Sequence, residues 1–63
     1  MAVQFLDLLS EDETATALRK SPRTLKRWRA LREGPPWVRV GGQSVFYRRS
    51  SIEKWLDAQE VRP

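Results

Sequence analysis

The sequence predicts a mainly α-helical domain with a small β-hairpin, and three observations predict it. Two helix-start signatures, at Ser10 and Ser21, follow one another closely. Two β-prone runs then enclose a Gly-containing loop, and a third helix-start signature at Ser50 precedes an apolar stripe.

The first helix is expected from Ser10 to about Arg19. Ser10 and Glu13 have capping-box spacing, and Glu11 and Asp12 suit the positive end of the helix dipole. Ala15 and Leu18 share a face, with Leu9 just outside as an extra contact, and residues 1–8 read as a short lead-in. Lys20 and Ser21 form a turn, Ser21 caps the second helix, and Pro22 sits at its first position, where a missing N–H costs nothing. The second helix runs from Pro22 to about Arg32, with Leu25, Trp28 and Arg32 on one stripe and Leu31 at its flank. Arg29 and Arg32 complement the dipole in its last turn. Gly34 suits the position after the C-cap, and Pro35–Pro36 stops any continuation. Trp37–Val40 and Val45–Arg48 flank Gly41-Gly42-Gln43-Ser44 as a hairpin. Ser50 and Glu53 form another capping box, Ile52, Trp55 and Leu56 repeat as a core-facing stripe, and the helix is expected to fray near Gln59. The order is helix, tight turn, helix, hairpin, helix, which is a winged helix-turn-helix. The 63 residues are read as a single domain with a core over about 8–57 and flexible ends at 1–7 and 58–63.

Composition narrows what such a domain can do. A domain of 63 residues buries only about 60% of its unfolded surface. With no Cys and no His it lacks disulfides and an ordinary zinc site, so the three Trp residues are the expected source of core packing. No catalytic residues, cofactor or metal are expected, because there is no His or Cys nucleophile system and no paired carboxylate. Gly41–Gly42 also lacks the Lys and helix of a phosphate-binding loop. No apolar run approaches a membrane span and Met1–Leu9 lacks a basic leader, so a cytoplasmic location without membrane contact is expected.

Charge is the strongest functional signal. The formal net charge is +4 and the isoelectric point about 10.4, the footprint of a nucleic-acid binder when the cations cluster. They do cluster. Residues 1–18 carry Asp7, Glu11, Asp12 and Glu13 and no cation, whereas residues 19–32 carry Arg19, Lys20, Arg23, Lys26, Arg27, Arg29 and Arg32 and no acid. If Leu25 and Trp28 face inward, Arg23, Thr24, Lys26, Arg27 and Ala30 turn outward or sideways. The first part of such a second helix meets base edges in the major groove. Arg23 and Arg27, one turn apart, are the candidates for bidentate contact with guanine. Thr24 offers a hydroxyl and a methyl, Lys26 a phosphate contact, and Ser21 stands at the helix start. The alternative is a solvated cationic face pairing with acids on the first helix. The hairpin supplies a second contact through Gly42, Gln43 and Ser44, with Arg39 and Arg48 flanking the minor groove, although Gly41–Gly42 also reads simply as a turn. Phe46 points outward if Val45 and Tyr47 point inward. It then either covers Trp37 across the hairpin or meets a neighbouring subunit.

The strings Leu8-Leu9-Ser10-Glu11-Asp12-Glu13, Ser21-Pro22-Arg23-Thr24-Leu25-Lys26-Arg27-Trp28, Gly34-Pro35-Pro36 and Tyr47-Arg48-Arg49-Ser50-Ser51-Ile52-Glu53-Lys54-Trp55-Leu56 together resemble the excisionase family of winged helix-turn-helix domains, relatives of MerR-type DNA-binding heads. The resemblance covers residues 8–57. It implies a recognition helix at Pro22–Leu31, a wing at Gly41–Ser44, and DNA bending. It further implies head-to-tail assembly with neighbouring copies and a non-catalytic role as a recombination directionality factor that biases an integrase towards excision. Two departures stand out: Arg19-Lys20 replace the usual Gly and apolar residue of the turn, and Phe46 stands where Arg is common. A small transcriptional regulator and, further off, a DNA-packaging adaptor are the alternative functions for the same binding mode.

Overall fold

The computed structural model describes residues 7–61. Strand β1 (Leu8–Ser10) is followed by helices α1 (Glu11–Leu18) and α2 (Pro22–Ala30), strands β2 (Val38–Val40) and β3 (Ser44–Arg48), and helix α3 (Arg49–Gln59). This is a winged helix-turn-helix with one addition, because the expected hairpin is a three-stranded antiparallel sheet in the order β1-β3-β2. The third strand comes from the end of the expected lead-in: Leu8 pairs with Arg48, Leu9 with Tyr47 and Ser10 with Phe46. Three residues are too few to show an alternating pattern, so only pairing reveals the strand. The remaining lead-in residues, 1–6, lie outside the described residues.

Ser10 ends β1 and caps α1. The Glu13 N–H donates to Ser10 Oγ (3.0 Å), and the Ser10 N–H donates to Glu13 Oε1 (2.8 Å), completing the expected capping box. Helix α1 closes through Arg19, which adopts a left-handed conformation at φ 60°. Lys20 N–H then reaches Ala15 O (2.8 Å) and Arg19 N–H reaches Thr16 O (3.1 Å), the paired bonds of a Schellman turn. Arg19 thus takes the backbone shape for which glycine is the usual residue, at a steric cost that glycine avoids. Ser21 caps α2, with Pro22 in its first turn.

The second helix is shorter than the sequence suggests. It ends at Ala30, and Leu31 and Arg32 belong to the turn that follows. Glu33 N–H donates to Trp28 O (2.7 Å) and Arg32 N–H to Arg29 O (3.1 Å), with Arg32 at φ 59°. Arg32 therefore fills the left-handed position expected for Gly34. Gly34 serves close packing instead. A Cβ there would lie 2.7 Å from Trp28 Cε3, so its missing side chain lets the chain lie against the indole.

Helix α3 also begins differently. It starts at Arg49 without any side-chain cap, and Ser50 is already inside it. The cause is β1. Arg49 N–H donates to Asp7 O (3.2 Å), and Arg49 Nε to Asp7 Oδ1 (2.8 Å), so the chain passes from strand pairing directly into helix.

The core is Ala15, Leu25, Tyr47 and Ile52, with Leu9, Leu18, Trp28 and Val45 packed around it. The expectation that tryptophans fill the core is corrected. Trp28 and Trp55 are half-buried at the rim, their ring centroids 5.6 Å apart and their planes tilted by 47°, while Trp37 is 37% exposed. An indole is rarely buried completely, whereas Tyr47 buries its ring and still finds a partner for its hydroxyl. Leu56 and Leu31, assigned to or beside core stripes, are exposed.

Candidate nucleic-acid interface

Helix α2 buries Leu25 and half-buries Trp28, and this rotation turns Arg23, Lys26, Arg27 and Ala30 to solvent and leaves Thr24 half-exposed. Arg23 and Arg27 are one turn apart, about 6 Å along the axis. None of Arg23, Lys26 and Arg27 makes an ion pair among the described residues. Arg19, Lys20 and Arg32 are exposed and also make no ion pair among the described residues. Ser21 Oγ accepts from Thr24 N–H (3.2 Å) and lies 3.1 Å from Thr24 Oγ1, so these two hydroxyls anchor the helix start on the same end as Arg23.

The seventh cation of the basic run departs from the others. Arg29 turns inward rather than serving only the helix dipole. Its Nη1 donates to Glu11 Oε2 and to Tyr47 OH (3.1 Å), and the Arg29 and Glu11 side chains are each 17% exposed. Burial pulls the guanidinium pKa down, but the bonds to Glu11 and Tyr47 and their charges outweigh it and hold it above its ordinary value. The bond joins α1, α2 and β3. Pairing of the basic run with acids of the first helix therefore holds for one residue. Spacing gives only its side of the helix, four residues after the core residue Leu25; its partners come from α1 and β3.

The wing is the β2–β3 hairpin. Val38 pairs with Phe46, Arg39 with Val45 and Val40 with Ser44, leaving Gly41, Gly42 and Gln43 as the loop. Gly41 and Gly42 have φ of 66° and 93° and open space where a Cβ would stand, so both suit a left-handed turn at an exposed tip. Gly42 and Gln43 are at this tip, and Ser44 is the first residue of β3 rather than part of the loop. Arg39 and Arg48 are not a flanking pair. Side chains alternate along a strand, so Arg39, opposite Val45, and Arg48, two residues beyond Phe46, take opposite faces. Arg48 also stands at the end of β3 away from the tip.

Phe46 is half-buried between Val38 and Ser10 in the sheet, so it does not cover Trp37. The Trp37 ring instead meets two guanidiniums, with Arg29 Cζ 5.6 Å and Arg39 Cζ 5.2 Å from its centroid. A groove of about 450 Å³ lies between the C-terminal ends of α2 and α3, lined by Trp28, Arg32, Glu33, Gly34, Trp55 and Gln59. No described helix is long and apolar enough to cross a membrane.

A half-buried anchor thus holds a short helix whose outer face is cationic, with no ion pair among the described residues, followed by a glycine-tipped wing. No curated protein and no solved structure matches the chain. A family model described as a helix-turn-helix domain matches residues 8–60. That span runs from the first residue of β1 to just past α3, and the chain belongs to the helix-turn-helix domain family, a DNA-binding family that is typically non-enzymatic.

Proposed function

We propose that the protein binds double-stranded DNA sequence-specifically, with α2 in the major groove and the wing on the neighbouring backbone. The observation that carries this reading is the outward face of α2, where Arg23, Lys26 and Arg27 are exposed and make no ion pair among the described residues. Arg23 and Arg27 are positioned for base edges, and Lys26, with the Ser21–Thr24 helix start, for phosphates. Gly42 and Gln43 bring backbone and polar groups to the tip of the wing, Ser44 adds a hydroxyl at the start of β3, and Arg39 adds a cation on β2. Arg48, at the far end of β3, is assigned at most a peripheral phosphate contact. The test is a titration of duplexes selected from a random pool against one unrelated duplex at several salt concentrations. Selective binding is expected, and equal weak binding to both duplexes would reduce α2 to a generic phosphate binder.

The role in which this binding serves is proposed to be that of an excisionase, working from the cytoplasm. The family to which the chain belongs includes excisionase-like DNA-binding domains, and the motifs from Leu8 to Leu56 resemble them. A unit spanning about residues 8–59 covers a short stretch of DNA, so copies side by side would supply affinity and bend the site. The experiment is an excision assay with an integrase encoded beside the gene. Stimulated excision is the expected result, and unchanged excision on adding the protein would remove this role while leaving DNA binding intact.

A further inference from the structure

We infer that Trp37 is a positioning residue that couples the wing to the DNA-reading helix by holding Arg39 in place. The inference rests on the DNA-binding reading above and adds a residue to it that carries no charge and contacts no DNA.

The coupling is a chain of four side chains. Glu11 at the start of α1 accepts from Arg29, which is on the inner side of α2 and also donates to the buried Tyr47 hydroxyl. Arg29 is therefore fixed by two elements besides its own. Its guanidinium carbon lies 5.6 Å from the Trp37 ring centroid. The Arg39 guanidinium carbon lies 5.2 Å from the same centroid. Both distances are within the range of cation–π attraction. Trp37 directly follows Pro35–Pro36, whose fixed φ angles stiffen the segment that leads into β2.

Alternation along the strand gives Trp37 and Arg39 the same side of the sheet, the side of Val45 and Tyr47 that faces the helices. Arg39 is otherwise exposed and has no ion pair among the described residues. Two like charges converge on one ring, and the Glu11 carboxylate offsets one of them. The other cation keeps its hydrogen-bond donors for a ligand. A long Arg side chain on a hairpin ordinarily loses rotamer freedom when it binds phosphate. Stacking on a ring that is itself referenced to α2 removes part of that freedom in advance. It also fixes the offset between the wing cation and Arg23–Arg27.

The test is a double-mutant cycle on the full chain with a selected duplex, using Trp37→Leu, Arg39→Gln and the double variant, with thermal melts to confirm that each is folded. Arg39→Gln is expected to weaken binding by about three- to tenfold and to lower the salt slope by about 0.9. Trp37→Leu is expected to weaken binding in the wild-type background and to change it less than twofold when Arg39 is already Gln. Trp37→Tyr, which keeps an aromatic face and spares the fold if Leu does not, should retain most of the binding. NMR of the free protein supplies a readout that needs no DNA: Arg39 side-chain protons should be shifted upfield by the ring and return to ordinary values in the Trp37 variants lacking an aromatic ring. Independent, additive losses, or full affinity in Trp37→Leu, overturn the inference while DNA binding stands. Ring-shifted Arg39 protons in a protein that binds no duplex overturn the DNA-binding reading, and the inference with it.

Discussion

Replacing Arg29 with Met tests whether one arginine of the basic run is a structural bolt while its neighbours are ligand contacts. The Arg29 and Glu11 side chains are each 17% exposed. Exposed ion pairs contribute about 0–1 kcal/mol, whereas removing one partner of a fully buried pair costs about 3–5 kcal/mol. Glu11 would keep its charge with little water around it, and the Tyr47 hydroxyl would lose its donor. Glu11 can still swing towards solvent from the first turn of α1, so the expected loss is about 2–3 kcal/mol. A domain of 63 residues has a total stability of about 3–9 kcal/mol. Each kcal/mol moves its Tm by about 4–8 °C, so the melt should fall by about 8–24 °C. The assay is thermal unfolding followed by far-UV circular dichroism, with Arg23→Met as the control on the exposed face, expected within about 0.5 kcal/mol of wild type. Glu11→Gln combined with Arg29→Met should cost less than the sum of the two alone. The pH dependence has a definite sign. The Arg29 pKa is raised in the folded state, so its contribution is complete below the unfolded guanidinium range and is lost only as pH climbs through the still higher folded value. The gap between wild type and Arg29→Met should therefore be flat from about pH 6 to pH 10. A Tm shift no larger than that of Arg23→Met would refute the account of Arg29 as a buried bolt.

The face of α2 divides by chemistry. Arg23→Ala or Arg27→Ala should cost about 1–3 kcal/mol on the preferred duplex and relax its sequence preference, read by duplex titration. Lys26→Ala should weaken all duplexes alike and reduce the salt slope by about one unit. Gly34→Ala places a Cβ 2.7 Å from Trp28 Cε3 at a φ of +83°, and a loss of about 2 kcal/mol with a changed tryptophan fluorescence spectrum is expected. The Thr14 hydroxyl is buried without a hydrogen-bond partner among the described residues, so Thr14→Val should raise stability by about 1 kcal/mol in a denaturant melt. Arg19→Gly relieves the left-handed backbone at φ 60°. After the entropy cost of an added glycine it should stabilise by about 0.5–1 kcal/mol, measured the same way.

Local chemistry shapes much of this protein before any tertiary contact forms. Capping at Ser10 and Ser21, the Pro22 start, the Leu25–Trp28 stripe and the glycine loop each act within a few residues. Their helices, wing and outward-facing Arg23, Lys26 and Arg27 were therefore legible in the chain. What failed depended on distant partners. Ser50 has capping-box spacing, yet the backbone bond from Arg49 to Asp7, remote in sequence, accompanies a cap at Arg48, two residues earlier. Leu8–Ser10 becomes a strand only because β3 is there to pair with it. The tryptophans looked like the core by size, but the space enclosed by three short helices and a small sheet admits Tyr47 and excludes the indoles to its rim. Arg29 reads as one more cation until folding brings Glu11, Tyr47 and Trp37 around it. Which helix is basic, and which side of it is buried, follows from periodicity and capping, and both are short-range. Which of its cations bolts the fold depends on groups brought together from distant parts of the chain, so it emerges only when the chain has folded.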